Sequence, residues 1–234
     1  MPADRQPGPL IGVGRAADVY ALDADRVLRR YRAGHSAEPE AAVMTYLAQA
    51  GYPVPKVYDA SGPDLILERL TGRDMLADLL TRPWLARQHA ATLARLHDRL
   101  HAIPAPPSLR VAFPPGDRVL HLDLHPANVM LTGVGPVVID WNNVAAGTPA
   151  ADVAMAWLIM ATSDMDPPPP LLLRPVIVAI RGTFVRRFRA LAGDDPGPEL
   201  ARVARIRISD PNIRPAEVTR LRAFAGASGQ PDAS

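Results

Sequence analysis

The stretch HLDLHPANVMLTGVGPVVIDWNN, residues 121–143, sets His121, Asp123, His125, Asn128 and Asp140 among apolar residues. VMLT and VVID read as strands and TGVGP as the turn between them, so the segment predicts a hairpin. Polar groups at buried strand ends are costly unless they are hydrogen-bonded or bind something. In such a hairpin Asn128 and Asp140 can come near each other at the open end. A carboxylate and an amide oxygen facing one point suit a hard cation such as Mg²⁺. Asp123, on the loop just before, is a carboxylate that can orient a hydroxyl and take its proton. Phosphoryl transfer from a nucleotide needs this set of parts. Two rival readings use the same letters. His121, Asp123 and His125 alternate, and on a strand they would share one side as a transition-metal site. Pro126 interrupts that strand, and Asn128 and Asp140 are left without a task. The bland alternative makes all of them caps and turn residues of an ordinary hairpin.

Working upstream, DVYAL and RVLRRY read as strands around the turn LDADR. EPEAAVMTYLAQAG follows as a helix, with Ala41, Met44, Leu47 and Ala48 at helical spacing and Gly51 as its stop. YPVPKVYDA and DLILERL are two further strand candidates split by SGP. LIGVGRAADVYAL puts Gly12 and Gly14 directly before a strand. Glycines let a backbone approach phosphates closely, although an ordinary hairpin turn uses them too. A dinucleotide-binding turn would need a helix next, and Asp18–Leu22 reads as strand.

After TGR at 71–73 the chain turns helical. DMLADLL and WLARQHAATLARLHDRLHAI come first, the latter with Leu85, Ala86, Leu93, Leu96, Leu100 and Ile103 on one apolar face. PAPPSLRVAFPPGDR reads as a loop into the opening segment. AADVAMAWLIMA, LLLRPVIVAIRGTFVRRFRALAG and two more helical stretches complete the chain, with PPPP at 167–170 separating the first two.

These pieces resemble the aminoglycoside phosphotransferase and choline kinase-like group, which shares the protein-kinase fold, over residues 10–165. HLDLHPANVML is similar to its catalytic loop, usually His-Gly-Asp-Leu-His-Pro-Gly-Asn. VVIDWNN is similar to its metal-binding strand end and DVAMAW to the helix start that follows. The resemblance implies an α+β, two-lobed protein-kinase-like fold with a small β-rich N-terminal lobe and a mainly helical C-terminal lobe. The expected division is a tail at 1–9, a nucleotide-binding lobe at 10–70, a helical lobe with the catalytic loop at 71–227 and a tail at 228–234. It implies Asp123 as catalytic base, Asn128 and Asp140 as Mg²⁺ ligands, and His121 and Asp152 as supports of the loop. Gly12 and Gly14 would cover the nucleotide, and Glu68 to Leu70 would be the hinge whose backbone meets adenine. His97, in ARLH, reads as packing.

The sequence departs from that pattern twice. Leu122 stands where the group has glycine. The lysine that kinases carry on the third strand is missing, because the only lysine, Lys56, lies after the helix. Arg29 on RVLRRY is the candidate to replace it, with Glu40 as its partner. Arg30 and Arg32 are the neighbouring alternatives. The function expected is transfer of the γ-phosphate of ATP or GTP to a small-molecule hydroxyl. The contrasting reading is a non-catalytic, pseudokinase-like nucleotide-binding module.

The remaining composition narrows the partners. The 234 residues hold no cysteine, which excludes disulfides, thiolate zinc sites and cysteine nucleophiles. A formal net charge of +2 and no long basic run argue against a nucleic-acid arm. VAMAWLIMA and LLLRPVIVAI are too short to cross a bilayer, and MPADRQPGPL has no signal-peptide core, so a cytoplasmic protein with no membrane partner is expected. From residue 164 onward Asp164, Asp166, Asp194 and Asp195 are matched by arginines, so a cationic acceptor is not predicted.

Overall fold

The computed structural model describes residues 7–14, 16–32, 35–164, 170–210 and 213–226. The backbone divides into two compact units. One holds the chain up to Asp74 together with Asn128–Asn142, and the other holds Met75–Ala127 and the chain from Asn143 onward.

In the first unit β1 (Leu10–Val13), β2 (Ala17–Ala21) and β3 (Arg26–Tyr31) precede helix α1 (Glu38–Gln49), and β4 (Val57–Ser61) and β5 (Asp64–Glu68) follow. That is the strand and helix order read from the sequence. The strands form one antiparallel sheet in the order β1-β2-β3-β5-β4. The turn into β3 is set by Asp23, whose carboxylate accepts the backbone N–H groups of Asp25 and Arg26 at 2.9 and 2.7 Å. α1 carries Pro39 in its first turn, where a backbone N–H has no helical partner to lose. Its buried side is Ala41, Val43, Met44 and Leu47; Ala48, expected there, is exposed. Gly51 ends it at φ +75°, a left-handed conformation that costs glycine nothing. Of the tail expected at 1–9, residues 1–6 lie outside the described residues, and the Pro9 carbonyl accepts the N–H of Ala21 at 2.9 Å.

A second sheet of the same unit pairs β9 (Val129–Thr132) with β10 (Gly135–Val138) as the expected hairpin, and β6 (Arg73–Asp74) joins its other side. The second strand stops at Val138, two residues before the end read from VVID. Asp140 has already left the extended region, at φ +68°.

The second unit contains α2 (Met75–Thr81), α3 (Ala86–His101), α4 (Pro149–Thr162), α5 (Arg174–Leu191), α6 (Leu200–Ile208) and α7 (Pro215–Ala225). Its sheet joins β7 (Val111–Phe113), β11 (Ala145–Gly147) and β8 (Arg118–Leu120), with β11 in the middle. β7 lies inside the stretch read as a loop. Its prolines hid three residues that pair in parallel with β11. The middle strand is small for a reason: a Cβ at Gly147 would stand 2.7 Å from Leu120 Cδ1 and 2.8 Å from Phe113 Cβ. Phe113, Leu120, Leu122, Ala154, Leu158, Val203 and Leu221 belong to one buried apolar cluster, which anchors the chain on either side of Asp123. Residues 167–169 of PPPP and the tail at 228–234 lie outside the described residues. No helix among the described residues is long and apolar enough to cross a membrane.

Candidate active site

In the first unit, β3 and α1 bring Arg29 and Glu40 together. Arg29 Nη1 donates to Glu40 Oε1 at 3.0 Å, and Nη2 donates to Asp140 Oδ1 at 2.6 Å. Burial pulls the guanidinium pKa down, but the charges of Glu40 and Asp140 more than offset it, so Arg29 is held firmly protonated. Arg30, next along the strand, points away. It forms a two-pronged pair with the buried Asp64 at 2.6 and 2.8 Å. Arg32 pairs with Asp18.

Two residues not singled out in the sequence complete this cluster. The Tyr31 hydroxyl bonds Glu40 Oε2 and Asn142 Oδ1, and the Arg29 guanidinium lies over the Tyr31 ring, 5.2 Å from its centroid. Burial, and then the charge of Glu40, push the Tyr31 phenol far above its ordinary range, so it stays a donor. Asn142 Nδ2 donates to Asp140 Oδ1 at 2.6 Å. Glu40 is 5% exposed and also accepts the Trp141 backbone N–H at 3.0 Å, so it grips both the strand and the chain after the hairpin. The signal for Tyr31 was available: two positions beyond Arg29 on a strand is the same face.

Asn128 and Asp140 flank the open end of the hairpin, where the Ile139 N–H donates to the Asn128 carbonyl at 3.0 Å. Asn128 is buried and the Asp140 side chain is 38% exposed. An amide and a partly open carboxylate are hard oxygen donors, and they fit a Mg²⁺ that keeps water and phosphate as its other ligands. Among the described residues no group of three or more His, Cys, Asp or Glu side chains could hold a metal, so the histidine-site reading finds no support. Gly14 donates its N–H to the Ala17 carbonyl at 2.9 Å, closing the turn between β1 and β2, and Gly12 lies opposite Val19. Glu68 ends β5 and accepts the Lys56 N–H through its carboxylate at 3.1 Å; Leu70 is half-buried beyond it.

In the second unit, the start of α4 and the end of α3 hold the backbone at His121 and Leu122. Asp152, 1% exposed, accepts the backbone N–H groups of His121 at 3.1 Å and Leu122 at 2.7 Å. It also pairs with His101 Nε2 at 3.0 Å, and the other face of that ring meets Asp194 Oδ2 at 3.1 Å. Burial alone would raise the Asp152 carboxyl, but His101 more than reverses this and holds it well below the usual carboxylate range. Burial likewise opposes the His101 charge, yet its two carboxylate partners lift its pKa to about 9. His97 is the counter-case: burial drives it down to about 4, against the pull of Asp152. Its Nδ1–H donates to the Leu93 carbonyl at 2.9 Å, and its ring packs edge-on against His101 and Phe188. His121 is fully buried, and its Nδ1 accepts the Asp123 N–H at 3.2 Å. Asp123 is half-buried, 3.6 Å from His125 Nε2. His101 was missed, although LARLHDRLH repeats histidine at i and i+4 on the buried face of α3.

Leu122 has φ +62°, so it occupies a glycine conformation with a side chain only 8% exposed. Holding a non-glycine residue there costs about 1–3 kcal/mol. Removing a buried leucine side chain costs about 2–5 kcal/mol. The side chain wins, so Leu122→Gly is expected to lower stability by about 2 kcal/mol and Tm by about 5 °C. Thermal melts of the two proteins check this; a higher Tm in the variant would mean that strain outweighs packing.

The sequence profile of the phosphotransferase enzyme family matches residues 8–115 and 106–204. No curated protein matches the chain. Among solved structures, a thermostable mutant of aminoglycoside phosphotransferase APH(4)-Ia in ternary complex with AMP-PNP and hygromycin B is 17% identical. It aligns over 95% of this chain and 94% of its own with a TM-score of 0.66. A choline/ethanolamine kinase family protein from Mesorhizobium loti is 14% identical over 97% and 90%, with a TM-score of 0.60. The amicoumacin kinase hAmiN, in complex with AMP-PNP, Ca²⁺ and Ami, is 14% identical over 96% and 87%, with a TM-score of 0.53. These likenesses establish a protein-kinase-like α+β fold. The family profile, which spans most of the sequence, places this chain in the phosphotransferase enzyme family.

Proposed function

We propose that the protein transfers the γ-phosphate of ATP to the hydroxyl of a small molecule, with Asp123 as the base. The observation that carries this reading is the Arg29 guanidinium, held between Glu40 and Asp140 where a kinase places its lysine pair. A module that only bound nucleotide would not need a catalytic-loop carboxylate, nor a buried Asp152 to hold that loop. Asp123 aligns the acceptor hydroxyl and takes its proton as the oxygen attacks. Arg29 binds the phosphates. Glu40 and Tyr31 keep its planar fork from swinging, so the phosphates stay in line. Asn128 and Asp140 would hold Mg²⁺, which neutralises phosphate charge. Gly12 and Gly14 cover the nucleotide, and the backbone of Glu68 to Leu70 meets the base. His121 and Asp152 fix the backbone that presents Asp123.

The acceptor is not a polycation in this reading. Of the acidic residues after 163, Asp164 pairs with Arg220 at 2.8 Å, Asp194 with His101, and Asp195 caps Gly197 at 3.1 Å. Asp166 lies outside the described residues. Measuring ADP release with purified protein, Mg²⁺ and a panel of neutral, anionic and aminoglycoside hydroxyl compounds tests this. Turnover confined to the aminoglycosides would overturn the acceptor class. No turnover with any compound, together with no ATP binding, would overturn the kinase.

Two site predictions belong with it. Arg29→Ala is expected to lower kcat about 10²- to 10³-fold, with Arg29→Lys between it and wild type and Arg30→Ala within twofold of wild type, by ADP-release kinetics. Loss of activity in Arg30→Ala with none in Arg29→Ala would place the phosphate contact one residue along. Titration calorimetry is expected to show tighter ATP binding with Mg²⁺ than with EDTA, and Asp140→Ala should erase that difference.

A further inference from the structure

One face of α5 lies outside the residues assigned above to phosphoryl transfer. Val176, Thr183, Arg187 and Ala190 recur along it at helical spacing, with Arg186 beside them. Against α3 this face makes an open groove of about 480 Å³, lined by Arg87, Thr183, Arg186, Arg187 and Ala190. No acidic residue lines it. Among the described residues no ion pair reaches Arg87, Arg186 or Arg187, whereas Arg26, Arg29, Arg30, Arg32, Arg82 and Arg207 all have carboxylate partners.

The N-terminal end of the same helix is apolar and open. The short turn before it exposes Leu171, Leu172 and Leu173 at 73%, 91% and 51%, and Val176 follows at 54%. Trp84, one turn before Arg87, is 73% exposed. Aliphatic side chains this open, in sequence, signal a contact surface rather than scattered exposure. Only about 20 Å of helix separates them from Arg187.

We propose that this face of α5 docks on an anionic lipid bilayer: Leu171–Leu173 and Val176 enter the acyl boundary, and Arg87, Arg186 and Arg187 meet headgroup phosphates. Exposed aliphatic side chains and arginines along one helix and the turn that leads into it are the pattern of helices that lie in the interface plane. LLLRPVIVAI is too short to span a bilayer, but lying on one sets no such length. A soluble phosphate would account for the arginines and leave the leucines unexplained. A second copy meeting this face on a two-fold axis would bring unpaired guanidinium groups against each other.

Flotation of the full chain with vesicles of phosphatidylcholine alone, and of phosphatidylcholine with a minority of phosphatidylglycerol, tests the proposal. Binding is expected to the anionic vesicles only, and to weaken with added salt. Arg186→Gln with Arg187→Gln is expected to lower the partition coefficient about 30-fold, and Leu172→Ser at least about tenfold, while circular dichroism melts and ADP release stay at wild type. Equal binding to both vesicles, no binding to either, or variants that float like wild type would overturn it. Binding of pyrophosphate without vesicle binding would identify a soluble anion instead. Self-association lost in Leu172→Ser, without vesicle binding, would identify a second copy.

Discussion

Asp123→Asn is expected to leave a folded protein that binds ATP as before and turns over about 10²–10⁴ times more slowly. The side chain is half-buried, and the bond that its backbone N–H gives to His121 Nδ1 does not involve the carboxylate. Replacing one carboxylate oxygen by an amide therefore removes the proton acceptor and leaves the loop its shape. The measurement is ADP release beside ATP titration calorimetry and a thermal melt. Wild-type turnover in a folded variant would remove Asp123 from the mechanism; a collapsed melt would make it a structural residue.

The largest stability effect is expected at Asp152. Asp152→Ala leaves the buried His101 imidazolium one carboxylate, that of Asp194, and strands the backbone N–H groups of His121 and Leu122. Breaking a buried pair from one side costs about 3–5 kcal/mol, which lowers Tm by about 10 °C in a chain of this size. His101→Gln should cost less, and the double variant should cost less than the two together, because the residues share one network. The same network gives stability a pH optimum. His101 is raised from 6.5 to about 9, so its contribution is full below pH 6.5 and is lost as pH rises through 9. His97 is lowered from 6.5 to about 4, so the unfolded chain takes up its proton first and stability falls as pH drops below 6.5. Asp152, itself lowered, adds its loss only below the ordinary carboxylate pKa. Urea titrations across pH should peak near 6.5 and lose about 3 kcal/mol towards pH 9. His101→Gln should flatten that alkaline limb. A limb unchanged in the variant would assign it to another group.

Arg29 and Glu40 were legible because a strand followed by a helix fixes which faces meet, and charge then selects the pair. The hairpin at 129–138 was legible from two apolar runs around TGVGP. β7 was not, because three residues between prolines carry too little pattern, and its strand character comes from β11 lying alongside. On α1 Val43 is buried and Ala48, beside the helix end, is exposed, so the buried stripe runs through Ala41, Val43, Met44 and Leu47. The φ of +62° at Leu122 had one signal, the glycine that the group has there; leucine itself shuns that conformation and only its fixed neighbours impose it. His101 carried a helical signal, but its two acidic partners come from residues 152 and 194, far along the chain.

The grip of Asp152 on the amides of His121 and Leu122 also sets a clock. These two N–H groups are buried and bonded to a carboxylate that itself bonds an imidazolium, so no small fluctuation presents them to water. Their deuterium uptake is expected to proceed only through global opening, at the rate of the slowest core amides. The chain beside Asp123 would then be among the last parts of the protein to exchange, although loops usually exchange first.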